Sequence, residues 1–355
     1  MCGMRGRRRL WLVGAAGVVC VLVSAGAVSA LPSASAAERA SATASAPTGS
    51  IVYRKGGNVW VARGDGSRAH VITRDGAADP YRHPTQANNG VIVAARGEVR
   101  GTFLVRINRR GRPLGKPVQV AVGLTNTGPL HEIGFAPALS PDGSKVALYK
   151  ALLQGTYDSN TGVRGLNLLA VTVQYRNAVS GRKLAERHHP GDYLQSPSWI
   201  DNRRLLVFAP YNAYAPQVWV DRIGGNLVGW FGDQLDGESS FDRKTIDQGE
   251  LSRDGRRLAL IRGTNVEGNW RGATIQIYSV NGFSGAPEPF CRIRLPGRGP
   301  FAKPTWSPDG TLLAWSDRNG IWSSAITAAG EGCGSSPRMI IRGGAEPDWG
   351  PANAG

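Results

Sequence analysis

After its first thirty residues this sequence has few long apolar runs, and it has only three Met and four Cys. It also lacks several signatures of common chemistry. There is no P-loop, no H-E-x-x-H and no C-x-x-C, which removes the usual phosphate-binding, zinc-protease and redox readings. A complete G-x-S-x-G is missing too; Gly282-Phe283-Ser284-Gly285 comes near it but reads as an outer turn. Negative charge is scarce, with 26 acidic against 42 basic residues and a formal charge of +16. What the chain has instead is 48 Gly and 10 Trp. Gly in a helix interior costs about 1 kcal/mol relative to Ala, so this composition points away from helices and toward short strands joined by tight turns.

The N-terminal stretch is a separate matter. Arg5, Arg7, Arg8 and Arg9 precede an uncharged run from Leu10 to Leu31, followed by small-residue sites at Val28-Ser29-Ala30 and Ala34-Ser35-Ala36. A basic head, an apolar stretch and an A-x-A-like site describe a secretory signal over residues 1–36. Arg8-Arg9 leaves both a general and a twin-arginine export route open, and a run of this length also allows a retained anchor. Cys20 has no small residue before it, which speaks against a lipid-modified cysteine. Residues 37–49 are Ala, Ser, Thr and Pro and read as a disordered spacer. Losing residues 1–36 removes four Arg and no acid, and the charge falls from +16 to +12. For an exported chain such a charge favours anionic envelope polymers over nucleic acid, although a basic soluble surface needs no ligand at all. Cys291 and Cys333 then have only each other, and a disulfide across 42 residues is expected; two free thiols would lack metal-ligating neighbours.

From residue 50 to 351 a pattern recurs. Pro137-Ala138-Leu139-Ser140-Pro141-Asp142-Gly143 precedes Val146-Ala147-Leu148, and Pro304-Thr305-Trp306-Ser307-Pro308-Asp309-Gly310 precedes Leu312-Leu313-Ala314-Trp315. A third copy begins at 249 and weaker ones at 84 and 197, giving intervals of 53, 60, 52 and 55 residues. A period near 50 indicates a propeller or a solenoid. Each Pro-Asp-Gly reverses one strand into the next, and a third and fourth strand follow in every unit. The first unit lacks an inner strand, whereas the chain finishes on Glu346-Pro347-Asp348-Trp349-Gly350-Pro351, an inner-strand motif without a blade. The expectation is an all-β, six-bladed β-propeller closed by the C-terminal strand pairing into the first blade, which leaves no open sheet edge. Trp199, Trp306 and Trp349 are expected to pack between blades.

The W-S-P-D-G signature resembles the TolB-type (WD40-like, PD40) propeller repeats over about 300 residues. TolB itself carries a further N-terminal α/β domain for which this chain has no room, so the resemblance implies the fold and not the Tol partners.

Functional expectations follow from loop lengths. The loops between second and third strands are long in blades three to five and contain Tyr157, Tyr211, Tyr214 and Trp270; the connection from Gly232 to Glu250 adds Asp242 and Asp247. Long loops in a compact domain are more often functional than short ones. These residues form the expected binding face for a protein or an anionic cell-envelope polymer, with no nucleic acid, with membrane contact only through a retained signal, and with a monomeric chain. His83, His131, His188 and Asp192 are expected at the channel mouth. The leading expectation is a non-enzymatic binding or scaffold protein without cofactor. The alternative is a metal-assisted lyase or hydrolase acting on a polyanionic glycan there, with a divalent ion held by these histidines.

Overall fold

The computed structural model describes residues 48–97, 101–123, 130–157, 164–188, 197–208, 218–232, 245–266, 269–296 and 299–354. Residues 1–36, expected to be a signal, and nearly all of the expected spacer lie outside them. The described chain folds as a six-bladed β-propeller. The first blade is built from Ala345–Gly350, Ser50–Lys55, Asn58–Arg63 and His70–Val71, in that order outward from the channel. The second runs through Tyr81–Gln86, Ile92–Arg96, Thr102–Ile107 and Val118–Ala121, and the third through Leu130–Leu139, Lys145–Tyr157, Arg164–Asn177 and Lys183–His188. The fourth contains Ser198–Trp199, Arg204–Phe208, Val218–Arg222 and Leu227–Phe231. Thr245–Leu251, Arg257–Val266, Asn269–Ser279 and Glu288–Arg294 make the fifth, extended by a short parallel pairing of Gly330–Glu331. Ala302–Trp306, Leu312–Ser316, Gly320–Ala325 and Arg338–Arg342 make the sixth.

Closure is as the repeat predicts. Ile51 faces Trp349 and Val52 faces Asp348 across an antiparallel ladder, so the last strand is the innermost strand of the first blade. The six innermost strands touch in chain order, the last returning to the second blade's.

The turns explain the Ser-Pro-Asp-Gly signature. Ser140 Oγ donates to Asp142 Oδ1 (2.6 Å) and accepts the Lys145 N–H (3.0 Å), while Asp142 Oδ1 accepts the Ser144 N–H (2.9 Å). Ser252 with Asp254, and Ser307 with Asp309, repeat the same 2.6 Å bond. Gly143 sits at φ +75°, a left-handed conformation that a side chain strains. One hydroxyl and one carboxylate thus satisfy the polar groups of the reversal.

The core is a ring of six layers, each between neighbouring blades. Val52, Val59 and Val61 of the first blade meet Ile92, Ala94 and Ile107 of the second. Ile275 and Ile293 of the fifth meet Trp306 and Trp315 of the sixth. The other four seams are built alike. Because a blade is covered on both faces, its middle strands read as unbroken apolar runs such as Leu205-Leu206-Val207-Phe208, all buried. Cys291 and Cys333 form a disulfide with a Cα–Cα distance of 5.2 Å, tying the fifth blade's outer strand to the loop after Gly330–Glu331.

Candidate functional site

Among the described residues, four innermost strands contain an X-Pro pair whose first residue is left-handed: His83 (φ +47°), Ala136 (+48°), Lys303 (+47°) and Glu346 (+54°). Pairing with the second strand breaks at each one, so each is a β-bulge. Proline has no N–H to offer the ladder, and a bulge is where its absence is tolerated. Gly249 takes the proline's place in the fifth blade; a Cβ there would lie 2.2 Å from Leu260 Cδ2. Non-glycine residues in this region cost about 1–3 kcal/mol, so neighbouring structure must hold them. Here the preceding blade does so. The His83 N–H donates to Glu346 Oε2 (2.7 Å) and the Lys303 N–H to Gln248 Oε1 (2.8 Å).

Two residues beyond each bulge, a second circle of bonds crosses the seams. The Gln86 N–H donates to Asp348 Oδ2 (3.2 Å), Leu139 to Thr85 Oγ1 (3.2 Å), Trp306 to Glu250 Oε1 (3.1 Å) and Trp349 to Thr305 Oγ1 (3.0 Å). The indoles add to this: Trp199 Nε1 donates to the Ala138 carbonyl (2.8 Å) and Trp306 Nε1 to that of Glu250 (3.0 Å). Gln86 stands at the tryptophan position and its amide bonds the Asp348 carbonyl in the same way (2.6 Å). The inward polar residues are therefore clamps between blades first.

Below this circle, on the Pro-Asp-Gly side, the channel widens into a cavity of about 340 Å³. Glu250, Asp348, Lys303 and Arg253 line it together with Asn88 and Trp199. Burial, and then the neighbouring Asp348 carboxylate, push the Glu250 carboxyl up to about 7. Lys303 Nζ lies 3.4 Å from Asp348 Oδ2, and Arg253 bonds Asn88. Glu250 therefore holds its proton to a higher pH than a free carboxyl does, in a cavity that Lys303 and Arg253 also line.

The opposite face differs. In the third blade the middle strands have 13 and 14 residues, and in the fifth 10 and 11, against 5 or 6 in the others. The third-blade hairpin carries Leu166, Leu168 and Leu169, which are 46%, 39% and 48% exposed, and Leu130 beside it is 49% exposed. From Ala151 to Tyr157, and from Gly165 to Tyr175, it has no charged residue.

The expected site residues fall unevenly. Tyr211, Tyr214, Asp242 and Asp192 lie outside the described residues. Tyr157, Trp270 and Asp247 have backbone within strands, but their side chains lie outside the described residues. His83 belongs to an inner strand, its Nδ1 3.9 Å from Glu346 Oε1; burial holds its pKa below the usual histidine value. His131 is on the innermost strand of blade three, opposite Leu153, with a buried Nδ1 that has no hydrogen-bond partner. His188 is a correction. The outer strand runs through it to pair with Thr172, so it stands exposed at the blade's periphery and not in a connection leading to the channel. Among the described residues no three His, Cys, Asp or Glu converge as metal ligands. Sequence reasoning missed the Glu250–Asp348 pair, although aligning the copies puts both two residues past the bulge. It also missed the leucines, whose signal was the 60-residue repeat interval.

With this geometry in place the fold can be matched. TolB from Acinetobacter baumannii is similar at 14% identity and a TM-score of 0.54, over 85% of this chain and 66% of that one. This chain thus spans just under two thirds of the TolB chain. A functionally unknown protein from Desulfotomaculum acetoxidans is similar at 11% identity and 0.47, over 86% and 100%. Prolyl oligopeptidase B from Galerina marginata follows at 13% and 0.46, over 74% and 37%. No family model and no curated protein matches the sequence. The molecule is a TolB-like β-propeller.

Proposed function

We propose that this chain is an exported, non-enzymatic binding or scaffold propeller that holds another protein through the loop face of blades three to five. The observation that carries this is the hairpin of the third blade, which projects past its neighbours and exposes Leu166, Leu168 and Leu169 on an uncharged strip. An exposed apolar patch of this kind marks an interaction surface. Its neutrality favours a protein over an anionic polymer, whose phosphate or carboxylate groups would seek cations. Tyr157, Tyr211, Tyr214 and Trp270 are the aromatic residues proposed as its anchors. Export is supported by the disulfide, which persists in oxidising compartments.

The test is capture from a cell-envelope extract with the full chain and with a Leu166→Asp/Leu168→Asp/Leu169→Asp variant. All three side chains are already exposed, so the fold should survive; a discrete protein retained by the wild type should be lost by the variant. Equal capture by both removes the proposed face.

A further inference from the structure

Among the described residues the third blade's long strand is only partly paired on its outer side. Its outer neighbour, Lys183–His188, bonds it only from Arg176 back to Thr172. From Arg164 to Val171 it continues along the inner hairpin strand, with no outer partner among the described residues. Eight residues at about 3.3 Å each make an edge of roughly 26 Å of outward N–H and C=O groups.

Four of the six outer strands of this ring are guarded, whereas Val118–Ala121 and Leu227–Phe231 carry neither charge nor proline. Lys183–His188 carries Lys183, Glu186 and Arg187; Arg338–Arg342 is bounded by two arginines; Glu288–Arg294 contains Pro289 and is covered by Gly330–Glu331. His70–Val71 is two residues long. Charge, proline, cover and shortness are the devices that keep sheet edges from pairing with other chains. Past Arg164 the open edge has none of these except one bulge, at Leu168–Ala170, where two consecutive leucines are exposed.

We propose that this edge accepts an extended segment of the partner protein as an added β-strand, the segment being apolar and uncharged where it pairs and acidic in its flanks. This rests on the binding reading above and specifies its chemistry. Backbone bonds along Gly165–Val171 give the affinity, and Leu166, Leu168 and Leu169 contact the added strand's apolar side chains, as in other strand-addition complexes. A charge within the paired stretch would face only neutral residues and lose its hydration without a partner. Acidic flanks follow from charge complementarity. Without residues 1–36 the chain carries +12, and Arg164 is the first residue of the strand. The same charge disfavours a second copy, since two such chains repel as they approach.

The probes are ten-residue peptides of alternating Leu, Val and Thr with two Glu at each end, the same peptide with a central Pro, and one with Lys ends. Amide exchange across residues 164–172 of the full chain is read with each. The Glu-ended peptide should slow exchange there by about tenfold, the Lys-ended one less, and the Pro peptide not at all. Leu168→Asp should weaken binding of the Glu-ended peptide by about tenfold. No protection at millimolar peptide, equal protection by the Pro peptide, or protection arising from concentration-dependent dimers without peptide each overturns strand addition. If the peptides fail while the triple Asp variant still loses its envelope partner, strand addition is wrong and the binding face stands.

Discussion

Replacing Glu250 by Gln tests the channel electrostatics directly. In the folded chain burial and Asp348 push this carboxyl up to about 7 from an ordinary value of 4.5. A raised folded-state value means that the native state holds the proton more tightly than the unfolded chain does. Stability is then full below pH 4.5 and is lost as pH rises toward 7. A carboxyl moved from 4.5 to about 7 corresponds to about 3 kcal/mol. Gln keeps the oxygen that accepts the Trp306 N–H and the Thr305 hydroxyl (3.1 and 3.2 Å), so the seam between the fifth and sixth blades is preserved. Urea unfolding followed by Trp fluorescence should give nearly equal stabilities for the two proteins near pH 4, with the variant about 3 kcal/mol more stable at pH 8. A difference that stays flat across this range, or a less stable variant at pH 8, refutes the account of a buried, repelled carboxyl.

Further outcomes follow from the seams and the staple. Trp349 is fully buried where the chain closes and donates to the Thr48 carbonyl (3.0 Å); Trp349→Ala should cost about 3–5 kcal/mol in the same urea assay. Deleting residues 345–355 exposes the inner edge of the first blade, and calorimetry should show the cooperative transition collapsing; an unchanged melting temperature would contradict ring closure. Reducing Cys291–Cys333, which spans 42 residues, should lower stability by about 4 kcal/mol, read by denaturation with and without reductant.

The repeat made the blades readable in advance because its chemistry is local. Ser140, Asp142 and Gly143 satisfy their own turn whatever lies around them, and spacing alone put the strand of Trp349 into the first blade. Residue types did not reveal that His83, Lys303 and Glu346 precede proline in a left-handed bend, because that bend is held by side chains from the blade before. His188 was misplaced for a related reason. Where an outer strand stops depends on how far its neighbour pairs with it, and Thr172 keeps it in register to the last residue.

By itself, then, the sequence determined the number of blades, the direction of every reversal and the strand that seals the ring, since turns and periodicity act within a few residues. Only the tertiary structure decided that Glu250 and Asp348 share one cavity and that Leu166, Leu168 and Leu169 remain uncovered. Those outcomes depend on inter-blade register and on how far one hairpin outruns its neighbours, quantities set by packing between segments distant in the chain.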